Sequence, residues 1–345
     1  MQRGVRENRK NSTTFALLPM EKMLAKIQAP VAAEMERFNE LLVENYRTDN
    51  AFISTILDYV LEQRGKQMRP LLVLLTAALN GGIRPISYTG AMLVEMAHTA
   101  SLVHDDVIDE AYMRRGQLST NAIWRSRTAV LVGDYILARA LSLTAHEKDA
   151  SQLLVMLTDS FQMLCEGELI QMERASKLDM TEEQYYEVIR RKTASLLGSC
   201  GGIGAKSAGS DDETVEYMRL FGEYLGMAFQ VKDDLLDYQA GSETGKPACN
   251  DLKERKITLP MLYLLDHSSP AQRKQIIATI STIRDNEEAA YDLQQQVIAS
   301  GAIEYAESVM RDYEQKALGI LNTYAESAVR DSLGLYCHYI LKRKR

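Results

Sequence analysis

Apolar residues recur three and four positions apart over most of this chain, and few residues interrupt the pattern. Ile56, Tyr59 and Val60 give one example, and Met156 and Leu157 begin another. Only 7 of the 345 residues are proline, and the sequence lacks runs that alternate apolar and polar residues between tight turns. Because spacings of three and four place apolar side chains on one face of an α-helix, the sequence predicts an all-α fold.

No long linker and no shift in composition divides the chain. A large helical bundle can reach this length, and the predicted breaks between helices are short turns, for example at 114–116, 209–212 and 268–270. We therefore expect a mobile extension over residues 1–18, followed by a single domain over residues 19–345.

Composition and charge argue against several classes of protein. The mean hydropathy is −0.22, no apolar run reaches the roughly 18 residues of a membrane-spanning helix, and the N-terminus lacks the apolar region of a secretory signal. The four cysteines form no CxxC pair, which indicates neither a zinc site nor a disulfide framework and fits a reducing compartment. A net charge of −7 disfavours general nucleic-acid binding. We expect a cytoplasmic protein with no nucleic-acid partner and no transmembrane segment.

The same acidic pattern occurs twice in apolar surroundings. Asp105, Asp106 and Asp109 lie in SLVHDDVID, and the pattern recurs at residues 233–237 in AFQVKDDLLD. In each copy the outer aspartates are four residues apart, so on a helix both project from one face. Carboxylates seldom occupy apolar segments unless a cation neutralises them, and Mg²⁺ usually binds through one or two carboxylates plus substrate phosphates. Two such segments facing each other across a cavity would therefore indicate diphosphate chemistry.

Cations and hydrogen-bond donors accompany both acidic segments. Arg114 and Arg115 follow the first, while Lys66 and Arg69 precede it in GKQMRP, at an expected helix start whose free N–H groups favour an anion. His98 lies seven residues before the first aspartate, on about the same helix face. Further donors around the second segment are Lys192, Thr193, Gln230, Lys232, Lys246 and Lys256. This inventory suits phosphate binding and does not suggest a Ser-His-Asp or Cys-His nucleophile.

Six segments together resemble the trans-isoprenyl diphosphate synthases, and more narrowly their polyprenyl branch, such as hexaprenyl, octaprenyl and solanesyl diphosphate synthases. They are GKQMRP, LVHDDVIDEAYMRRG, GDYILARA, KTASLLGSCGGIGAKSAG, FQVKDDLLDY and GKPACNDLKERKITLP. A single such motif is weak, but the combination over roughly residues 40–265 is highly specific. The resemblance implies an all-α bundle around a deep central cavity, a homodimer, and an enzyme that joins isopentenyl diphosphate to an allylic diphosphate.

The resemblance also implies a role for each matching residue. The metal ligands for about three Mg²⁺ ions would be Asp105, Asp109 and Asp233, supported by Asp106, Asp234 and Asp237. The residues expected to act in catalysis are Asp105, Asp106, Asp109, Lys192 and Asp233. Arg114 would contact the allylic diphosphate. Isopentenyl diphosphate would be bound by Lys66, Arg69, His98 and Arg115. The positions that line the phosphates and the developing carbocation would be Lys192, Thr193, Gln230, Lys246 and Lys256.

Three small residues before the first aspartate bear on product length. In the family the growing chain descends along the helix that carries the first acidic segment, and residues four and five before its first aspartate set the early floor. Here these are Ser101 and Ala100, with Ala97 one turn deeper. Small side chains there predict a medium or long all-trans product of C30–C50 for quinone side chains, made from farnesyl or geranylgeranyl diphosphate.

Three alternatives stay open at this point. A short-chain farnesyl or geranylgeranyl diphosphate synthase would share the same motifs, although Ala100 and Ser101 argue against the farnesyl enzyme. A terpene cyclase would not need the second diphosphate site suggested by Lys66, Arg69 and His98. A non-catalytic subunit of a heteromeric prenyl synthase would be expected to lose acidic residues that this chain keeps. A peripheral membrane contact for product release is a further expectation.

Overall fold

The computed structural model describes residues 19–147, 149–239 and 250–342. Within these ranges the backbone is almost entirely helical, which confirms the all-α fold class predicted from the apolar spacing. The predicted extension over residues 1–18 lies outside the described residues, and the single domain predicted for the remainder stays a prediction.

Short turns connect the helices. The α-helices are α1 (Met20–Gln28), α2 (Ala32–Tyr46), α3 (Ala51–Glu62), α4 (Met68–Leu79), α5 (Pro85–Ile108), α6 (Thr120–Ala145), α7 (Ser151–Lys177), α8 (Glu182–Ile189), α9 (Ser195–Ser207), α10 (Asp212–Gln239), α11 (Asn250–Lys253), α12 (Leu259–Asp266), α13 (Pro270–Thr282), α14 (Glu287–Ala299), α15 (Ala302–Leu321) and α16 (Ala328–Lys342). Ala29–Val31 and Ile283–Asp285 are 3₁₀ turns, and Arg190–Ala194 is a π-helical turn. The breaks predicted at 209–212 and 268–270 fall at helix boundaries, as expected.

The chain forms two compact units. The first comprises the described residues up to Thr158, together with Ser199–Arg219 and Ala325–Leu335. The second comprises Asp159–Gly198, Leu220–Tyr324 and the described residues from Tyr336. The first acidic segment belongs to the first unit, and the second acidic segment belongs to the second.

In the first unit, helix α4 is buried on every side. Its five consecutive residues 71–75 are 0% exposed, as expected of a helix that is apolar all round. A Cβ at Gly204 of α9 would lie 1.9 Å from the Thr76 Oγ1 atom, so only glycine permits this approach to α4. Helix α5 packs against α4 and, over more of its length, against α6. These contacts fix the axis of the helix that ends at the first acidic segment.

Helix α6 also bears on the predicted absence of a membrane span. Among the described residues, Thr120–Ala145 alone is long and apolar enough, by length and composition, to cross a bilayer. Core helices of proteins that never enter a membrane pass the same test, and α6 packs along α5. One such helix is weak evidence for a membrane span.

The second unit has its own apolar core, to which α8 and α10 to α15 all contribute. Its members include Tyr185 and Val188 from α8, Val231 and Leu235 from α10, and Leu262 from α12, all of them buried. Because α8 and α10 share this core, polar side chains on the same two helices are brought together beside it.

A hairpin that the apolar pattern did not predict follows α5. The only strands in the described residues are β1 (Met113–Arg114) and β2 (Gln117–Leu118), which pair antiparallel with Met113 opposite Leu118. Arg115 and Gly116 connect them with φ of 52° and 80°, which matches the two-residue turns whose twist suits a hairpin. The sequence marked residues 114–116 as a break, but strands of two residues carry too little alternation to be recognised.

Helix α6 contains a strained kink at Arg125. This residue has φ 67° and ψ 162°, a backbone conformation that is essentially confined to glycine and costs about 1–3 kcal/mol in other residues. Its side chain is exposed. The kink therefore stores strain that packing elsewhere in the first unit has to offset.

Replacing Arg125 by glycine is expected to raise the free energy of unfolding by about 1–3 kcal/mol, because glycine adopts this combination of φ and ψ without strain. The matched control is Arg127→Gly. Arg127 lies two residues further along α6 and is also exposed, and glycine there is expected to cost about 1 kcal/mol. Chemical denaturation of both variants measures the two changes. Destabilisation by Arg125→Gly would contradict the strained conformation.

Candidate active site

The first acidic segment lies at the C-terminal end of α5. Asp105 is in the last turn, and Asp109 is the residue just beyond the helix, with its N–H donating to the Asp105 carbonyl at 2.8 Å. The sequence placed both outer aspartates inside a helix; Asp109 instead caps it, although the i to i+4 hydrogen bond keeps it one turn from Asp105. The two carboxylates therefore belong to one helix end, which is what a shared cation requires.

Asp106, between them, is held by an arginine. Its side chain is buried, at 2% exposure, and Arg114 Nε donates to its Oδ1 at 2.7 Å. Burial raises the pKa of Asp106, and the hydrogen bond and charge of Arg114 oppose that rise. This ion pair ties strand β1 to the end of α5. The role of Asp106 beside the predicted metal ligands stays a prediction.

Helix α3 holds the other side of the hairpin. Tyr59 OH and Gln63 Nε2 both donate to the Leu118 carbonyl, at 2.8 and 2.7 Å. Arg115 Nη1 in turn donates to the Gln63 carbonyl at 2.7 Å. The hairpin is thus fixed at both ends, and Arg115 is turned back toward the segment before α4. A Cβ at Gly65 would lie 2.7 Å from three atoms of the Arg115 guanidinium.

Arg69 and His98 meet in the same unit. Arg69 Nη1 lies 2.9 Å from His98 Nε2. Since a guanidinium can only donate, His98 Nε2 accepts, and its proton is on Nδ1. Burial, followed by the charges of Arg69, Arg115 and Arg114, holds the pKa of His98 well below its usual value. His98 is therefore a neutral donor through Nδ1.

His98, Asp106, Arg114 and Arg115 border one cleft in the first unit. The cleft encloses about 540 Å³, including space open to solvent. Its polar lining residues are Tyr46, Gln63, Arg64, Glu95, His98, Thr99, Asp106, Arg114 and Arg115. Burial raises the pKa of Glu95, against the attraction of Arg69, Arg115 and Arg64. Within the described part of the chain, the buried Nε of Arg69 has no hydrogen-bond partner. Because Arg64, Arg114 and Arg115 line the cleft, it suits an anion.

Lys66 lies beside this cleft rather than among its lining residues. It is exposed, in the turn before α4, and α4 begins at Met68 after Gln67 with φ 50°. The helix start predicted for GKQMRP is therefore confirmed. Sequence reasoning missed Tyr46, Gln63, Arg64 and Glu95; Arg64 adjoins the GKQMRP motif, but the other three carry no local signal.

The second acidic segment lies within α10. Asp234 is buried and accepts from Tyr185 OH at 2.6 Å on Oδ2 and from Gln230 Nε2 at 2.9 Å on Oδ1. Burial raises the pKa of Asp234, helped by the nearby Asp251 charge and opposed by the two donors. Asp233, on the same turn, is partly exposed.

Asp237, one turn further along α10, caps another element. Its carboxylate accepts the backbone N–H groups of Asn250 and Asp251, at 3.3 and 3.1 Å. The side chain is 0% exposed. Asp237 therefore fixes the start of α11.

Lys192 and Thr193 lie in the π-helical turn between α8 and α9. Lys192 Nζ is 2.7 Å from Glu168 Oε1 and 2.8 Å from Gln171 Oε1. Thr193 Oγ1 donates to Gln230 Oε1 at 2.8 Å, so Thr193, Gln230 and Asp234 form a chain of hydrogen bonds. Thr193 and Gln230 are thus linked to the second segment, whereas Lys192 pairs with two residues of α7, and its predicted place beside that segment stays a prediction. Sequence reasoning did not find Tyr185.

Lys256 and Lys246 are the remaining lysines of the predicted set. Lys256 Nζ pairs with Glu254 Oε2 at 2.5 Å, and Lys246 lies outside the described residues. The predicted facing of the two acidic segments stays a prediction.

The carboxylates of the two acidic segments suit only one of the ways in which proteins bind Mg²⁺. Among the described residues, no group of three or more His, Cys, Asp or Glu side chains is arranged to hold a metal ion. Mg²⁺ usually keeps several waters and binds through one or two carboxylates plus substrate phosphates. Asp105 with Asp109, and Asp233, suit that mode of binding.

Comparisons with known proteins decide the family. The family model described as polyprenyl synthetase matches residues 50–297, well over half of the chain. The chain belongs to the polyprenyl synthetase family. Members of the family use Mg²⁺ in catalysis.

Relatives and solved structures agree with this assignment over nearly the whole chain. Octaprenyl diphosphate synthase of Escherichia coli K12 is 33% identical over 323 residues, covering 93% of this chain and 99% of the relative. A short chain isoprenyl diphosphate synthase of Methanothermobacter thermautotrophicus is 30% identical, covering 90% and 98%. The crystal structure of a Caulobacter crescentus polyprenyl synthase, in complex with calcium and isoprenyl diphosphate, is similar with a TM-score of 0.84 at 32% identity, covering 93% and 98%.

Gly65→Ala is expected to weaken isopentenyl diphosphate binding about tenfold, because the new Cβ displaces the Arg115 guanidinium and its charged hydrogen bond. The guanidinium is the end of a flexible side chain, so stability should change little. Titration calorimetry with isopentenyl diphosphate measures the loss. Gly319→Ala, where a Cβ meets no described atom within 4 Å, is the control. Unchanged affinity in Gly65→Ala would exclude Arg115 from the site.

Proposed function

We propose that this protein is a trans-polyprenyl diphosphate synthase, a prenyltransferase that condenses isopentenyl diphosphate with an allylic diphosphate. The observation that carries the proposal is the first unit's cleft, where Arg114, Arg115 and His98 line one space together with Asp106, the residue next to Asp105 in the first acidic segment. Family membership and the E. coli octaprenyl diphosphate synthase, 33% identical, support the same reaction. Farnesyl or geranylgeranyl diphosphate is the proposed starter.

Asp105, Asp109 and Asp233 would hold about three Mg²⁺ ions on the allylic diphosphate. When bound, Mg²⁺ supplies Lewis-acid stabilisation of the charge that develops on the departing diphosphate. Arg114, which pairs with Asp106, would contact the same group. Lys192 would add positive charge near the leaving oxygens, so that the allylic C–O bond can break inside the site.

Lys66, Arg69, His98 and Arg115 would bind isopentenyl diphosphate. Arg69 and Arg115 offer guanidinium forks that match phosphate oxygens, and neutral His98 offers its Nδ1–H. Held in this way, the double bond of isopentenyl diphosphate attacks the allylic cation, and a proton is then lost. The departing diphosphate accepts it, since no side-chain base is assigned to this step.

Thr193, Gln230, Lys246 and Lys256 would line the phosphates and the carbocation. Thr193 and Gln230 are tied to Asp234 by hydrogen bonds, which supports their place beside the second acidic segment. Lys256 pairs with Glu254 and would have to leave that partner to reach a phosphate.

For product length we propose C30–C50, consistent with quinone side chains. Ala97 and Ala100 are 0% exposed and Ser101 is 8% exposed. All three lie on α5, N-terminal to the first acidic segment. Small side chains there leave room for a growing chain. A short-chain synthase is the second candidate, because the Methanothermobacter relative bears that name at 30% identity.

A non-catalytic subunit and a terpene cyclase have less support. A non-catalytic subunit of a heteromeric synthase would not need both acidic segments, and a terpene cyclase would not need the pairing of Arg69 with His98.

The proposed assembly is a homodimer, supported by exposed apolar side chains on α6 such as Leu131, 67% exposed. A cytoplasmic location fits free Cys165, Cys200 and Cys337. Product release through a peripheral membrane contact completes the proposal.

Asp105→Asn is expected to lower kcat by about 100-fold or more, because a carboxylate ligand for Mg²⁺ is lost. The measurement is release of inorganic diphosphate from farnesyl and isopentenyl diphosphates with Mg²⁺. The control is Asp266→Asn, an exposed aspartate paired with Arg273 at 2.9 Å, which should keep full activity. A wild-type protein that releases no diphosphate would support the non-catalytic alternative.

Ala100→Phe is expected to shorten the product while turnover continues, because the aromatic ring would block the path of the growing chain along α5. Overpacking of this buried site should destabilise the protein by about 1–3 kcal/mol. Chromatography of dephosphorylated products measures chain length, and Ala100→Ser is the control because it adds only a hydroxyl. An unchanged product distribution in an active Ala100→Phe variant would contradict the proposed path of the growing chain past Ala100. A wild-type product of C20 would favour the short-chain alternative.

A further inference from the structure

Asp234 differs from the neighbouring aspartates of the second acidic segment in how it is held. Both of its carboxylate oxygens accept hydrogen bonds from side chains, Oδ2 from Tyr185 and Oδ1 from Gln230. The shorter bond, at 2.6 Å, comes from the phenol. Asp234 and Tyr185 are 5% and 3% exposed, so water does not substitute for these donors. The orientation of the carboxylate is therefore set by the protein.

Tyr185 itself is rigidly placed. It lies in the first turn of α8, whose N-terminus is closed by a reciprocal pair: Thr181 Oγ1 accepts from the Gln184 N–H, and the Gln184 side chain accepts from the Thr181 N–H. Its ring packs edge-on against Tyr186, with centroids 5.5 Å apart, and lies in the core of the second unit beside Leu235. A capped helix and a packed ring leave the hydroxyl one position.

The neighbouring aspartates show what this restraint achieves. Asp237 is held by the N–H groups of Asn250 and Asp251, so α10 is anchored one turn beyond Asp234. Asp233 lies between these restraints and Gln230, and it is the partly exposed member of the segment. Fixing Asp234 and Asp237 fixes the helix turn from which Asp233 projects.

We propose that Tyr185 is a positioning residue for the second acidic segment, acting through Asp234 on the cations that this segment binds. The inference rests on the proposed function, since it concerns the same metal-dependent site. Groups that orient metal-binding carboxylates typically affect metal affinity by 10- to 100-fold. Phenylalanine would fill the same space without the donor, so the hydroxyl is the functional part.

The test compares Tyr185→Phe with Tyr186→Phe. Tyr186 is the adjacent tyrosine, and its hydroxyl donates at 2.8 Å to Glu182, away from the acidic segment. Each change removes one phenol-to-carboxylate hydrogen bond, although Tyr186 is less buried than Tyr185 and Tyr305 also donates to Glu182. In Tyr185→Phe, the Mg²⁺ concentration for half-maximal turnover is expected to rise about tenfold, whereas Tyr186→Phe should match the wild type.

A second readout does not depend on turnover. Mg²⁺ with inorganic diphosphate should raise the thermal unfolding midpoint of the wild type, because ligands that bind only the folded state stabilise it. This increment is expected to shrink in Tyr185→Phe and to stay unchanged in Tyr186→Phe. Asp234→Ala, measured alone and combined with Tyr185→Phe, completes a double-mutant cycle. If Tyr185 acts through Asp234, the second change adds little to the first.

The outcomes separate the inference from the function beneath it. Additive losses in the cycle, or an equal Mg²⁺ requirement in Tyr185→Phe and Tyr186→Phe, would overturn the positioning role while wild-type prenyl transfer stood. A wild type that makes no prenyl product would overturn the proposed function instead. If Tyr185→Phe does not fold, Asp234→Ala alone still decides: an unchanged Mg²⁺ requirement there excludes any role through Asp234.

Discussion

The ion pair of Arg114 with the buried Asp106 joins the short hairpin to the end of the helix that bears the first acidic segment. Asp106 is 2% exposed, so loss of Arg114 would leave a desolvated carboxylate without its charged donor. The hairpin therefore cannot move freely from α5. Tyr59 and Gln63 hold its other strand. The position of Arg115, in the turn between the two strands, is therefore fixed. The geometry of the cleft depends on this arrangement.

In the second unit, buried aspartates are likewise held by hydrogen bonds, but their donors are neutral groups. Asp234 is held by a phenol and an amide, and Asp237 by two backbone N–H groups. Desolvated carboxylates need such partners, and each partner also fixes a direction. Each acidic segment thus combines buried aspartates, which are held by hydrogen bonds, with aspartates that are partly or fully exposed. The pattern DDxxD states the residue types but not this division of roles.

Much of the fold and part of the site could be predicted from local sequence. Apolar spacing predicted the helices because helical periodicity is a short-range property, and the motifs grouped Arg69 with His98 before the structure placed them 2.9 Å apart. Gln63 and Tyr185 could not be found in this way, since their partners lie 52 and 49 residues away. The kink at Arg125 was equally hidden, because an arginine gives no sign of a left-handed backbone. Predictions failed where tertiary packing, rather than local preference, decides.

The π-helical turn at Arg190–Ala194 gives the second unit a sensitivity to insertions and deletions. A π turn accommodates one residue more than an α turn, and each residue advances a helix by about 100°. Gly167 lies against this turn, where a Cβ would come 2.9 Å from the Lys192 nitrogen, so the turn has no space to unwind. Loss of a single residue there would rotate Tyr185 and Thr193 relative to each other around the helix axis. Chain length in this short stretch is therefore as constrained as residue identity, and relatives with a gap here would have to rebuild the polar face.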